Sequence, residues 1–137
     1  MPLINYVNFD ENAIEAITYY KHVFETEEPK IMRYGEFDDS SYQPPEHIKH
    51  LVMHCEMSIY GSRLMISDTP RGFGTDYVVG NNITIALVLS DFDLLNKTWN
   101  RLAKDAKIIT PFEKTFFSKG YGFLYDKFGV GWQFIHE

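Results

Sequence analysis

Apolar residues alternate with polar ones in some stretches of the chain and recur every three or four positions in others, and the two periods succeed each other in the same order twice. Residues 3–9, "LINYVNF", have the β-branched and aromatic character of a strand. Ala13, Ala16, Ile17, Tyr20, Val23 and Phe24 then mark one face of a helix, with Asn12 and Glu15 at the spacing of a capping box. Strands are predicted next over 30–37, 50–60 and 62–68. The second half begins with a strand over 82–91, followed by a helix carrying Leu95, Thr98, Trp99 and Leu102 on one stripe behind Asp91 or Asp93 as cap. Further strands fit 106–117, where Pro111 demands an edge or a bulge, 121–126 and 130–136. Each half reads β, α, β, β, β, and aligning Gly61 with Gly129 sets Met65 opposite Gln133.

Module 1 therefore spans about residues 1–68 and module 2 about 83–137, joined by a connector over 69–82 with three glycines and Pro70. A second irregular stretch, 38–47, reads as a loop tip within the first half. At 137 residues, 45% hydrophobic, the chain has material for one well-buried domain.

Charge narrows the partners. Thirteen basic against 19 acidic residues give a net charge of −6, and no run of Lys and Arg is long enough to follow a phosphate backbone, so nucleic acid is not expected as a partner. No apolar run is long enough for a bilayer and the first residues lack a signal-peptide pattern, so no membrane association is expected. Cys55 is the one cysteine, which suits a reducing compartment, and a cytoplasmic location is expected.

The segments "YVNFDENAIEAITYYKHVF", "VMHCEMSI", "LMISDTP", "GNNITIALVLSD", "EKTFFSKGYGFLYDKFG" and "GW" occur in the order found in the PhnB-like branch of the glyoxalase/bleomycin-resistance/dioxygenase (vicinal oxygen chelate) superfamily, also labelled as a 3-demethylubiquinone-9 3-methyltransferase-like domain, and the chain resembles that branch over nearly its whole length. One departure is Phe117-Ser118, where the branch tends to have Trp-Gly. The resemblance implies an α+β fold of two βαβββ modules, each curling into half of an open barrel-like cavity, and a homodimer. It does not imply a reaction, and the methyltransferase label finds no glycine-rich strand-to-helix turn for a nucleotide-like methyl donor.

Metal-using members of the superfamily take ligands from the first and last strands of each module. Carried onto this chain, those positions are Asn5 or Asn8, Met65, Thr84 and Gln133, a set of amides, a thioether and a hydroxyl that suits a divalent first-row ion poorly. No metal and no other cofactor is expected.

His47, His50 and His54 fall within eight residues, with Glu56 two further on. Strand alternation puts His50, Val52, His54, Glu56 and Ser58 on one face, and Leu51, Met53, Cys55, Met57 and Ile59 on the face that packs on helices. His54 and Glu56, about 7 Å apart at ~3.3 Å rise per residue, are the candidate catalytic pair: imidazole titrates near neutrality and a carboxylate can fix its tautomer. The same pair also reads as two ligands of a relocated metal site, or as a half-buried polar pair satisfied by itself or by Arg33 and Lys114.

Asn8, Asp68, Lys114, Phe116, Trp132 and Gln133 are candidate ligand-binding residues, although Phe116, Phe117 and Trp132 also fit a core, and Asp68 and Lys114 fit ordinary ion pairs. Cys55 is expected to be an inert core thiol. The resulting expectation is a metal-independent protein that binds or converts a small molecule in the inter-module cavity. A divalent-metal lyase, isomerase or transferase, and a drug-sequestering protein, are the alternatives.

Overall fold

The computed structural model describes residues 2–36, 41, 43–74 and 76–137. The chain is α+β and contains two βαβββ modules, each built on a four-stranded mixed sheet. Two compact units divide between Tyr77 and Val78, within the stretch read from sequence as the connector.

In the first unit the order along the chain is β1 (Asn5–Phe9), α1 (Ala13–Phe24), β2 (Lys30–Arg33), β3 (Val52–Ile59) and β4 (Ser62–Asp68). The strands lie in the order β1-β4-β3-β2, with β1 parallel to β4 and the other pairs antiparallel. Ala13, Ala16, Ile17, Tyr20, Val23 and Phe24 are the buried face of α1, as their spacing predicts. With Phe9, Cys55, Met57, Ile59, Leu64 and Ile66, also buried, they make the first core. Each large apolar side chain so enclosed contributes roughly 1.5–3 kcal/mol relative to exposure.

The start of α1 differs from the capping box expected of Asn12 and Glu15. Asn12 occupies the cap position but makes no side-chain cap bond. Instead Asp68, 4% exposed, accepts from Ala13 N at 2.8 Å through Oδ1 and from Val52 N at 2.9 Å through Oδ2. Burial pushes the Asp68 carboxyl up from its ordinary pKa, and the two amides oppose that rise.

The strand predicted over 30–37 ends at Arg33 because Tyr34–Glu36 forms a 3-10 turn, and Phe37 lies outside the described residues. The loop predicted over 38–47 is described at Ser41 and from Gln43 onward, and Glu46–Ile48 is a second 3-10 turn. The connector is tied to the first unit: Arg71 pairs with Asp10, its amide donates to Glu11, and Tyr77 Oη donates to Asn8 O.

The second unit repeats the plan with β5 (Ile85–Leu89), α2 (Phe92–Leu102), β6 (Lys107–Thr115), β7 (Ser118–Tyr125) and β8 (Gly131–His136), ordered β5-β8-β7-β6. Asp91 caps α2 by accepting from Leu94 N. Leu95, Thr98, Trp99 and Leu102 are its buried face, and Trp99 meets Phe134 edge-on at 5.2 Å. A Cβ on Gly122 would lie 2.8 Å from both Phe112 and Trp99, so the strand there accepts no side chain. Strand β6 is an edge strand, and its pairing with β7 shifts register on both sides of Pro111, which meets the requirement that proline set.

At the β7–β8 turn Asp126, 4% exposed, accepts from the amides of Phe128 and Val130 and from Trp132 Nε1. Asp68→Ala leaves two buried amides without an acceptor, and Asp126→Ala leaves the buried Trp132 indole and two part-buried amides without one; each is expected to cost about 3 kcal/mol or more. Urea unfolding measures this, and a loss below about 1 kcal/mol would contradict the roles given to these carboxylates.

Candidate functional site

Register-paired residues share a face of a sheet, so the pairings assign the side of the first sheet that its helix does not cover. One row runs Tyr6, Met65, Glu56, Lys30 across β1, β4, β3 and β2. The next carries Asn8 and Ser67 on β1 and β4, and His54 and Met32 on β3 and β2. A third pairs Ser58 with Arg63. His54 and Glu56 do share this face, as alternation predicts. Val52 does not: it is fully buried, and the pairing of β2 with β3 shifts between Met32 and Arg33 just beside it.

The polar groups on the face are bonded to one another. Tyr6 Oη and His54 Nδ1 share a hydrogen bond at 3.2 Å, and their rings are 5.8 Å apart and tilted. Ser67 Oγ donates to Asn8 Oδ1 at 3.0 Å, and Arg63 Nε donates to Glu56 Oε1. The Arg63 guanidinium, with smaller contributions from His54 and Lys30, holds the Glu56 carboxyl below its ordinary pKa, and the Arg63 pKa is raised in return. The sequence reading offered Arg33 and Lys114 as partners for this pair; the structure supplies Tyr6 and Arg63 instead. Arg33 Nη1 donates to His50 O at 2.6 Å.

The three clustered histidines separate. His47 lies on a 3-10 turn with its ring 6.5 Å from that of Phe73, His50 precedes β3, and His54 alone of the three stands in the rows just described.

Several other candidates are placed away from an open face, each for an identifiable reason. Asp68 is buried with both oxygens on backbone amides. Trp132 is 1% exposed and its indole N–H is taken by Asp126. Lys114 follows Glu113, the partner of Tyr121, and therefore points to the opposite side, where its Nζ lies 4.2 Å from the centroid of the Phe92 ring on α2. Phe116 is fully exposed and Phe117 is 76% exposed, because residues 116 and 117 form the turn between β6 and β7 rather than part of a strand. The core reading of these two phenylalanines is corrected on that ground.

Gln133 lies on the corresponding face of the second sheet. Its Oε1 accepts from Tyr121 Oη at 2.7 Å and its Nε2 donates to Thr84 Oγ1 at 2.9 Å. Met65 pairs with Tyr6, the second residue of β1, and Gln133 with Ala86, the second residue of β5, so the two do hold equivalent positions in their modules. Around Gln133 stand Ala86, Val88, Ile135, Tyr121, Phe123 and Tyr125, and the charged residues on this side are Lys119, two before Tyr121 on β7, and Lys107 and Glu113 on β6.

These donors fit a divalent ion poorly. Asn8 Oδ1 is engaged by Ser67, Met65 offers a thioether, and Gln133 and Thr84 bond each other. Among the described residues no group of three His, Cys, Asp or Glu is placed to hold one. A nucleotide-like methyl donor also lacks its usual cradle, since the first amide of α1 is held by Asp68 and the amide of Leu94 in α2 by Asp91. Cys55 is fully buried on the helix side, and burial pushes its thiol up to about 11.

Among the described residues no helix is long and apolar enough to cross a membrane. A family model described as 3-demethylubiquinone-9 3-methyltransferase matches residues 2–135. Protein YjdN of Escherichia coli (strain K12) is 28% identical over 139 residues, covering 96% of this chain and 92% of that protein. Protein PA1353 from Pseudomonas aeruginosa superposes with a TM-score of 0.82 at 22% identity, covering 100% of this chain and 98% of its own. The PhnB protein from Bacillus cereus superposes with a TM-score of 0.74 at 22% identity, covering 100% of both chains. The shared fold is of the glyoxalase type.

Glu56 is expected to titrate below the usual carboxylate range, and Arg63→Gln to return it there, as followed by NMR of the side-chain carboxyl carbon. A lowered folded-state pKa means that the stabilisation from this pair is present above the unfolded pKa and is lost as pH falls through the folded value. An unchanged Glu56 titration in Arg63→Gln would contradict the pairing. Cys55 is expected to react with a thiol reagent only when the protein is unfolded.

Proposed function

The chain belongs to the 3-demethylubiquinone-9 3-methyltransferase family, the PhnB-like branch of the glyoxalase/bleomycin-resistance structural superfamily, and from that premise we propose that it binds a small molecule on the open face of its first sheet without a metal ion. The observation that carries this reading is the contrast between the two modules. At equivalent register positions β1, β4 and β3 bring Tyr6, Asn8, Met65, Ser67, His54 and Glu56, whereas β5, β8 and β7 bring Ala86, Val88, Gln133, Ile135, Tyr121 and Phe123. One backbone plan carries both sets, so the fold itself does not require the polar one. Mutually bonded polar groups beside apolar ones are what a small-ligand site uses to fix an orientation.

His54 is the group suited to proton exchange with a bound molecule, and Tyr6 is the residue that orients it. Conversion of the ligand is therefore within the reach of this face. A second reading, sequestration of a planar drug-like molecule, draws on the half-buried stripe of Tyr121, Phe123 and Tyr125 on the second sheet. Saturable binding with no product formed distinguishes it from turnover.

The test takes a ligand found by screening small molecules against the purified protein. His54→Ala is expected to weaken its binding about tenfold, or ~1.4 kcal/mol, the scale of one hydrogen bond. Elemental analysis with a chelator control is expected to find no stoichiometric divalent ion. A stoichiometric ion removed only by chelation would overturn the metal-independent reading, and unchanged binding in both His54→Ala and Glu56→Ala would overturn the site.

A further inference from the structure

The chain as a whole carries −6, yet the open face of the first sheet carries two full cations, Arg63 and Lys30, against one anion, Glu56. Arg63 spends Nε on Glu56, and among the described residues no protein acceptor takes its two terminal nitrogens. Lys30 stands across the β2–β3 pair from Glu56, and its ammonium makes no hydrogen bond or ion pair among the described residues. The acidic groups beyond the end of β1 are already engaged, Asp10 by the Arg71 side chain and Glu11 by the Arg71 amide. Glu36 faces Arg33. Among the described residues the face thus has an excess of one positive charge, with unused donors on a planar guanidinium fork that matches the two oxygens of a carboxylate.

Apolar groups stand in the same rows as these charges. Tyr6 is 46% and Met32 45% exposed, and Met65 lies between Tyr6 and Glu56.

Resting on the site reading given above, we infer that the ligand is a small monoanionic carboxylate with an apolar body, its charge held by Arg63 and Lys30 and its body lying over Tyr6 and Met65. Met65 suits such a body because a thioether side chain adapts to ring edges and faces. Arg63 is here a specificity-determining residue, and Glu56 positions it by fixing Nε. At the positions matching Arg63, Glu56 and Lys30 the second sheet has Gly131, Phe123 and Thr110, all uncharged.

Benzoate, benzamide and benzylamine share one ring and differ in charge, and each is titrated into the ¹⁵N-labelled full chain at constant ionic strength. Benzoate is expected to shift the amides of Tyr6, Lys30, His54 and Arg63, with a Kd at least tenfold below that of benzamide, and benzylamine to leave them unmoved. Arg63→Gln, at a side chain 49% exposed, is expected to keep the dispersed spectrum of the fold and to weaken benzoate at least fivefold without altering benzamide. Equal binding of benzoate and benzamide at these residues would overturn the carboxylate class while leaving the site in place. Benzoate shifts confined to Tyr121, Phe123 and Gln133 would overturn the site itself. No shift with any of the three up to their solubility would overturn the inference.

Discussion

The carboxylate of Asp68 sits where the end of β4, the head of α1 and the head of β3 meet, with one oxygen on Ala13 N and the other on Val52 N. An ion in so buried a position is costly unless its lone pairs are used, and here the two amides that use them belong to two different elements. The link therefore fixes β3 relative to α1 and β4. The register of β3 against β4 decides which β3 side chains share a face with Met65 and Ser67, and a slip of one residue would turn His54 and Glu56 to the helix side. Burial of Cys55, Met57 and Ile59 on that side holds the same register from below. The open face thus owes its arrangement to a residue that does not itself contact it.

Asp126 performs a related task in the second module by tying its turn and the indole of Trp132, yet the face that results has a different chemistry. The duplicated plan conserves what packs against each helix: Tyr20 and Phe24 on α1, Trp99 against Phe134 on α2. What it leaves free is the other side of each sheet. One module fills that side with a histidine, a carboxylate, a guanidinium and hydroxyls, and the other with aromatic and aliphatic groups around Gln133. Gln133 shows the difference most plainly, because both ends of its amide are bonded to Tyr121 and Thr84 within its own sheet.

Local periodicity carried much of this into the sequence. Helix stripes, the Asp91 cap, the edge position demanded by Pro111, the equivalence of Met65 and Gln133, and the shared face of His54 and Glu56 all follow from spacings of a few residues. What escaped depends on longer relations. The cap of α1 comes from Asp68, 55 positions after Ala13, so Asn12 looked sufficient. Tyr6 and Arg63 come into the site through cross-strand register, which no single strand reveals, although the alternation of Tyr6 with Asn8 and of Arg63 with Met65 already marked them as facing one way. Phe116 and Phe117 look like strand residues by composition and turn out to be the hairpin tip, since a two-residue turn without glycine leaves little local signature.

The central claim is that the polar rows of the first sheet, and not the aromatic face of the second, form the site. Crystallising the protein as purified from cells, with no ligand added, tests this most directly. Density for a retained small molecule against His54, Met65 and Arg63 is expected. Density lodged instead on Tyr121, Phe123 and Gln133, with the first sheet's face occupied by solvent, would contradict that claim.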